Sequence, residues 1–327
     1  MFISCRGTDN KTDTKSSGST SNNTPEELNR LNEQLKSDPN NTDIYHKRAQ
    51  YYYNAQRYNE GLSDMLRAVN IDSSKAAYFL TLSDLYFVNN QTSKTKAALE
   101  KCIQLDEKNI EAMLKLAELY LYVRKYEESV KYINNVLKLD KYNAKAYFMK
   151  GMNYKELKDT ARAISSMQTA VEQDQQYYNA YMQLGLLCAA KKNPLAVEYY
   201  KNAIRIKPNS GEALYSLGKY YQDTENFDKA LNTYNDLIHL ETNNINAYYN
   251  MGVIHLLNLK KYDIAINYFT TAVKINPKYV QAYYGRGLSY QALGNKKQAT
   301  TDFQACIAIN PDYEPASEAL QKIGKAK

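Results

Sequence analysis

Aromatic and small residues recur along this chain at a fixed interval. Tyr52, Tyr86, Tyr120 and Tyr154 stand 34 residues apart, and the series continues through Cys188, Tyr221, His255 and Tyr290 at steps of 34, 33, 34 and 35. A period of this length marks an array of supersecondary units. Two columns of small residues lie about a dozen positions apart within each period. The first is Ala49, Ser83, Ala117, Gly151, Gly185, Gly218, Gly252 and Gly287; the second is Gly61, Thr95, Ser129, Ala163, Ala196, Ala230, Ala265 and Ala299. Large apolar residues fill the columns between them, from Tyr45 to Tyr283 in the first half of each unit and from Met65 to Phe303 in the second. Such spacing predicts two antiparallel helices per unit, with aromatic knobs set into holes left by small residues. The units are 42–75, 76–109, 110–143, 144–177, 178–210, 211–244, 245–279 and 280–313. Stacked units share one core, so no internal domain boundary is expected.

The ends depart from the period. Residues 6–24 contain no apolar side chain, so 1–24 is expected to be a disordered tether that cannot offset its ordering entropy by burial. Thr24-Pro25-Glu26-Glu27 carries a helix N-cap, a proline at the first helical position and a carboxylate in the first turn, and Leu28, Leu31 and Leu35 form one apolar stripe. A single helix is therefore expected within 25–41.

The signature Tyr181-x-x-Leu184-Gly185, or Tyr248-x-x-Met251-Gly252, is followed by Ala-x-x-x-aromatic, as in Ala265 and Phe269, and by a closing Asn276-Pro277. This pattern resembles the tetratricopeptide repeat across residues 42–313, with tyrosine where tryptophan is usual. Closing prolines remain at Pro39, Pro208, Pro277 and Pro311. The resemblance implies an all-α, right-handed superhelical solenoid of eight helix–turn–helix repeats, flanked by single helices. Its first helices would line a concave groove, and residues 314–327 would form a capping helix.

Composition narrows the function. The chain has 32 Tyr, 7 Phe and no Trp, and tyrosine suits a thin array because its ring packs while its hydroxyl stays near water. The formal charge of +7 is spread along the length without a basic stripe interleaved with aromatics, so nucleic acid is not an expected partner. No apolar run reaches the roughly 20 residues of a membrane helix. The four cysteines lack metal or redox spacing, and His46, His239 and His255 occupy three different columns. Gly285-Arg286-Gly287 opens a helix and is no phosphate cradle. No enzyme activity and no cofactor or metal are expected. One correlation is internal to the array: Arg48 and Arg286 stand sixteen residues before Asp64 and Asp302, in the first and last units only. An ion pair between the helices of each terminal unit is predicted.

In the repeat the resemblance implies, residues one and five places after the Tyr45-to-Tyr283 column face the groove. In the C-terminal half these are Phe148 and Met152, Met182 and Leu186, Tyr215 and Lys219, Tyr249 and Val253, and Tyr284 and Leu288. In the N-terminal half the groove is acidic, with Asp43, Asp84, Glu111 and Glu118. A protein or peptide segment with basic and apolar ends is the expected partner, because an apolar strip is costly to leave exposed. Asn250 is isolated, so the carboxylate-binding set of some family members is not carried over. Met1-Phe2-Ile3-Ser4-Cys5, followed by a polar stretch, resembles the end of a bacterial lipoprotein signal, which would make Cys5 a lipidation site. The expected role is a non-catalytic scaffold, lipid-anchored in the cell envelope. The alternatives are a cytoplasmic adaptor or co-chaperone, and a regulatory subunit of an enzyme complex.

Overall fold

The computed structural model describes residues 25–325, which form eighteen α-helices and one π-helical turn with no strand among them. The expected tether over 1–24 and Cys5 lie outside the described residues. A leading helix α1 (Pro25–Ser37) precedes the hairpins α2 (Thr42–Asn54) and α3 (Tyr58–Ile71), α4 (Ala76–Val88) and α5 (Thr92–Leu105), and α6 (Ile110–Tyr122) and α7 (Tyr126–Leu139). Then come α8 (Ala144–Glu156) and α9 (Thr160–Gln173), α10 (Tyr178–Ala190) and α11 (Leu195–Ile206), and α12 (Gly211–Asp223) and α13 (Phe227–Leu240). The last are α14 (Ile245–Val253) and α15 (Tyr262–Ile275), α16 (Val280–Ala292) and α17 (Lys296–Ile309), and α18 (Glu314–Lys325).

Local chemistry punctuates these helices at the same period. First helices begin on a side-chain cap at Asn41, Asn109, Asn143, Ser210 and Asn244, each accepting from a backbone N–H of the first turn. They end in a left-handed residue, at Gln56, Asn90, Arg124, Lys158, Lys192, Glu225, Lys260 and Gly294. In the first hairpin, Gln56 N–H bonds Tyr53 O and Arg57 N–H bonds Tyr52 O, the paired closure of a Schellman turn. Second helices run into Asx turns, in which Asp72, Asp106, Asp140, Asp174, Asn276 and Asn310 accept from the N–H two residues on.

Size matching joins the two helices of each hairpin. A Cβ built on Gly185 would lie 2.5 Å from the Tyr200 ring, one on Gly218 2.7 Å from Tyr234, and one on Gly287 2.6 Å from Phe303. Where the column holds Ala49, Ser83 or Ala117, the residue sixteen further on is Met65, Leu99 or Ile133. Glycine thus accompanies the aromatic rings in the last four units.

The 35-residue unit places its extra residue inside the first helix. Ile254–Asn258 winds as a π turn, closed by Leu259 N–H to Ile254 O at 3.0 Å and Lys261 N–H to His255 O at 2.8 Å. His255 is buried there, its ring stacked 5.4 Å from Tyr268. Burial, aided by Lys261, holds its imidazole below the ordinary histidine value.

The array opens and closes on half-repeats. Leu31 of α1 lies 34 residues before Met65, and both are fully buried, so α1 occupies the register of a second helix. Ala316 of α18 lies 34 residues after Ala282, both without exposure, so α18 continues as a first helix. The terminal ion pairs form. Arg48 meets Asp64 through two bonds of 2.7 Å and gives its third donor to Asn32 of α1 at 2.7 Å. Arg286 meets Asp302 at 2.7 and 2.8 Å and reaches back to Thr270 of α15 at 3.2 Å.

Contacts gather into two compact units, one ending at Asn135 and the other beginning at Val136, where a single shared core was expected. Among the described residues, buried side chains likewise form several clusters rather than one. The clusters follow from the array, because within each unit a hairpin packs against its neighbours in sequence and no single centre collects the buried residues.

Candidate functional site: the face of the first helices

Within each unit, successive first helices touch one another, α2 with α4, α10 with α12, and α14 with α16. Their shared face is the candidate site.

In the second unit the residues of the expected apolar strip lie on first helices, and ring packing covers part of them. Phe148 lies 5.0 Å from Tyr177, Tyr249 5.3 Å from Tyr279, and Tyr284 5.6 Å from Tyr313. Each of those tyrosines stands immediately before the next first helix, in the column where other repeats place Asn or Ser caps. Three repeats therefore give up a cap hydrogen bond for an aromatic clamp, two effects of similar size at about 1 kcal/mol each. Tyr215 leans on Tyr234 at 6.2 Å. Phe148, Met152, Tyr215, Tyr249, Val253, Tyr284 and Leu288 are half-buried and keep part of their surface open. Leu186 is the most open at 41% exposure, whereas Met182 at 3% belongs to the interior. Lys219 is ion-paired with Asp223 of its own helix. Burial raises the Tyr249 phenol and pushes that of Tyr279 up to about 12. Asn250 turns inward and donates to Tyr234 Oη at 3.0 Å, and Tyr234 donates on to Gln222 Oε1 at 2.9 Å.

In the first unit the four expected carboxylates are all on the polypeptide's first helices, but three are held by lysines. Asp43 accepts from Lys75 Nζ at 2.8 Å and from Tyr78 Oη at 2.6 Å, and those bonds lower its carboxyl. Lys115 bonds both oxygens of Asp84, at 2.6 and 2.7 Å, and reaches Glu111 at 3.1 Å. Burial raises the Asp84 carboxyl, with the Lys115 ammonium pulling against it. His46 Nε2 lies 2.8 Å from Thr81 Oγ1, with its imidazole held down by burial. Glu118 is exposed. Lys75, Lys115 and the three clamp tyrosines escape the columns used to find the strip. Their signal is a separation of 29 to 32 residues from their partners, slightly under one period, which sets them on the next first helix or at its entry.

Among the described residues no group of three His, Cys, Asp or Glu could hold a metal, and no helix is long and apolar enough to cross a membrane. Cys102, Cys188 and Cys306 are buried, and burial raises each thiol, which suppresses the reactive thiolate.

Sequence models of the tetratricopeptide repeat match residues 110–143, 144–177, 211–244 and 280–313, and a further TPR repeat model matches 256–294. This is a tetratricopeptide-repeat protein. Its all-α helical-repeat fold recurs in the C-terminal part of a TPR repeat-containing protein from Cytophaga hutchinsonii, at 20% identity over 73% of this chain and 98% of that one, with a TM-score of 0.65. A tetratricopeptide-repeat protein from Parabacteroides merdae is 16% identical over 76% of this chain and 98% of its own, with a TM-score of 0.51. The MamA protein is 24% identical over 51% of this chain and 92% of its own, with a TM-score of 0.47. No curated protein matches the chain in sequence at a significant level. Tetratricopeptide repeats are protein-interaction scaffolds, and on this chain the first helices leave Phe87, Tyr122 and Leu186 open.

Proposed function

We propose that this tetratricopeptide-repeat protein is a non-catalytic scaffold whose first-helix face holds an apolar segment of a partner protein. One observation carries the reading: Leu186 is open and Met152, Tyr215, Tyr249, Val253 and Leu288 are half-open, all on first helices of the second unit. A surface that alternates clamped aromatic rings with open aliphatic side chains suits an amphipathic helix or extended peptide. The sequence Phe2-Ile3-Ser4-Cys5 before a polar stretch supports attachment of a lipid at Cys5, which would make the scaffold an envelope lipoprotein. The mass of the protein from its native cells tests that attachment: a chain starting at acylated Cys5 supports it, and an unmodified Cys5 sinks it.

The face itself is tested by a photo-crosslinking residue placed at Leu186 and, as control, at the half-buried Asn202 of the second helix α11. Adducts to one partner at position 186 and none at 202 are expected in native cells. Equal yields at both positions, or none at 186, would reject the face as the docking site.

A further inference from the structure

The first unit carries a second surface feature that the acidic reading does not absorb. Phe87 and Tyr122, on the last turns of α4 and α6, are 49% and 65% exposed and meet edge to face at 6.5 Å and 75°. Two large open rings in contact are an unusual thing to leave in water. They stand one helical turn beyond the charged residues, because Asp84 precedes Phe87 by three positions and Glu118 precedes Tyr122 by four. The Lys115 ammonium satisfies Asp84, while Glu118 is exposed on the same stripe of α6 as Tyr122. Both rings also lie at helix C-termini, where the backbone carbonyls present partial negative charge.

We propose that Phe87, Tyr122 and Glu118 form a docking site for an arginine side chain of a partner segment. The proposal rests on the reading of the first helices as the partner-holding face, and names the chemistry that the first unit takes. A guanidinium is planar and weakly hydrated, so it stacks on an aromatic face while its donors engage a carboxylate. Ammonium is a compact, strongly hydrated charge and gains less from the rings. Arg124 and Lys125 follow Tyr122 in the turn, both exposed, and they disfavour a polybasic ligand. The fitting partner is therefore a single arginine among apolar residues.

The test uses the full chain and a dye-labelled peptide with one arginine between leucines, alongside its lysine and citrulline twins. Fluorescence anisotropy should show the arginine peptide bound, and the citrulline and lysine twins weaker by about tenfold and several-fold respectively. Tyr122→Ala and Glu118→Gln should each weaken the arginine peptide by about tenfold, with the thermal melt unchanged because both side chains are exposed. Leu186→Glu should leave this binding intact, which separates the site from the apolar strip of the second unit. Equal binding of the three peptides, or indifference to Tyr122→Ala, overturns the proposal. So does a dimer in sedimentation that Tyr122→Ala dissociates, since the rings would then serve a second copy of the chain.

Discussion

The closest fit between the two helices of a hairpin is between a missing Cβ and an aromatic ring. Gly185 has Tyr200 Cε1 at 2.5 Å from where its Cβ would sit, and a real Cβ cannot be accommodated without moving a ring that is itself fully buried. Gly185→Ala is therefore expected to destabilise by about 1–3 kcal/mol, the usual cost of overpacking. The chain supplies its own remedy, because Ala49 faces Met65 in the first hairpin. Tyr200→Met alone leaves a void, but combined with Gly185→Ala it should lose less than the sum of the single changes. A double-mutant cycle by urea unfolding measures this coupling; strict additivity would show that the two positions do not share one space. This size matching was legible in the sequence, since glycine precedes an aromatic by fifteen to seventeen residues in the last four units, and alanine or serine precedes an aliphatic by sixteen in the first three. The aromatic clamps were not. Tyr177, Tyr279 and Tyr313 look like ordinary loop tyrosines until the next helix brings them over Phe148, Tyr249 and Tyr284.

At the scale of the helix, the hairpin turns show how weakly sequence signals a conformation that packing imposes. Seven of the eight left-handed turn residues are not glycine, although that conformation crowds any Cβ. Lys158, at φ 63°, is exposed, so Lys158→Gly removes strain without removing a buried contact. It should stabilise by about 0.5–1 kcal/mol, and Gly294→Ala, at φ 77°, should cost a similar amount. Urea midpoints decide both, and a loss of stability in Lys158→Gly would mean that the lysine side chain holds the turn. The π turn at Ile254–Asn258 has the same lesson. Counting residues reveals that one unit is longer by one, but the period cannot tell a lengthened loop from a widened helix. Helix winding wins here because Ile254, His255 and Leu256 are all buried, which fixes the register on both sides of the insertion.

Across the whole molecule, the preference for tyrosine over phenylalanine has a consequence in alkali. Tyr200 and Tyr234 are fully buried, and burial raises both phenols well above their usual value; that of Tyr279 is pushed up to about 12 by burial and then by the nearby Tyr249. An unfolded tyrosine ionises near pH 10. Between pH 10 and 12 the unfolded chain thus releases protons that the folded chain retains, and stability must fall as pH rises. The raised phenols contribute their full stability below pH 10 and lose it progressively above that point. Urea midpoints should accordingly stay level from roughly pH 7 to 9 and drop steeply beyond about pH 10. Absorbance near 295 nm should separate an early class of exposed tyrosines from a late class that ionises only as helical circular dichroism is lost. If all tyrosines ionised together near pH 10 with the helices intact, the buried rings would have to be reached by water, and the knobs-and-holes packing that joins each hairpin would be wrong.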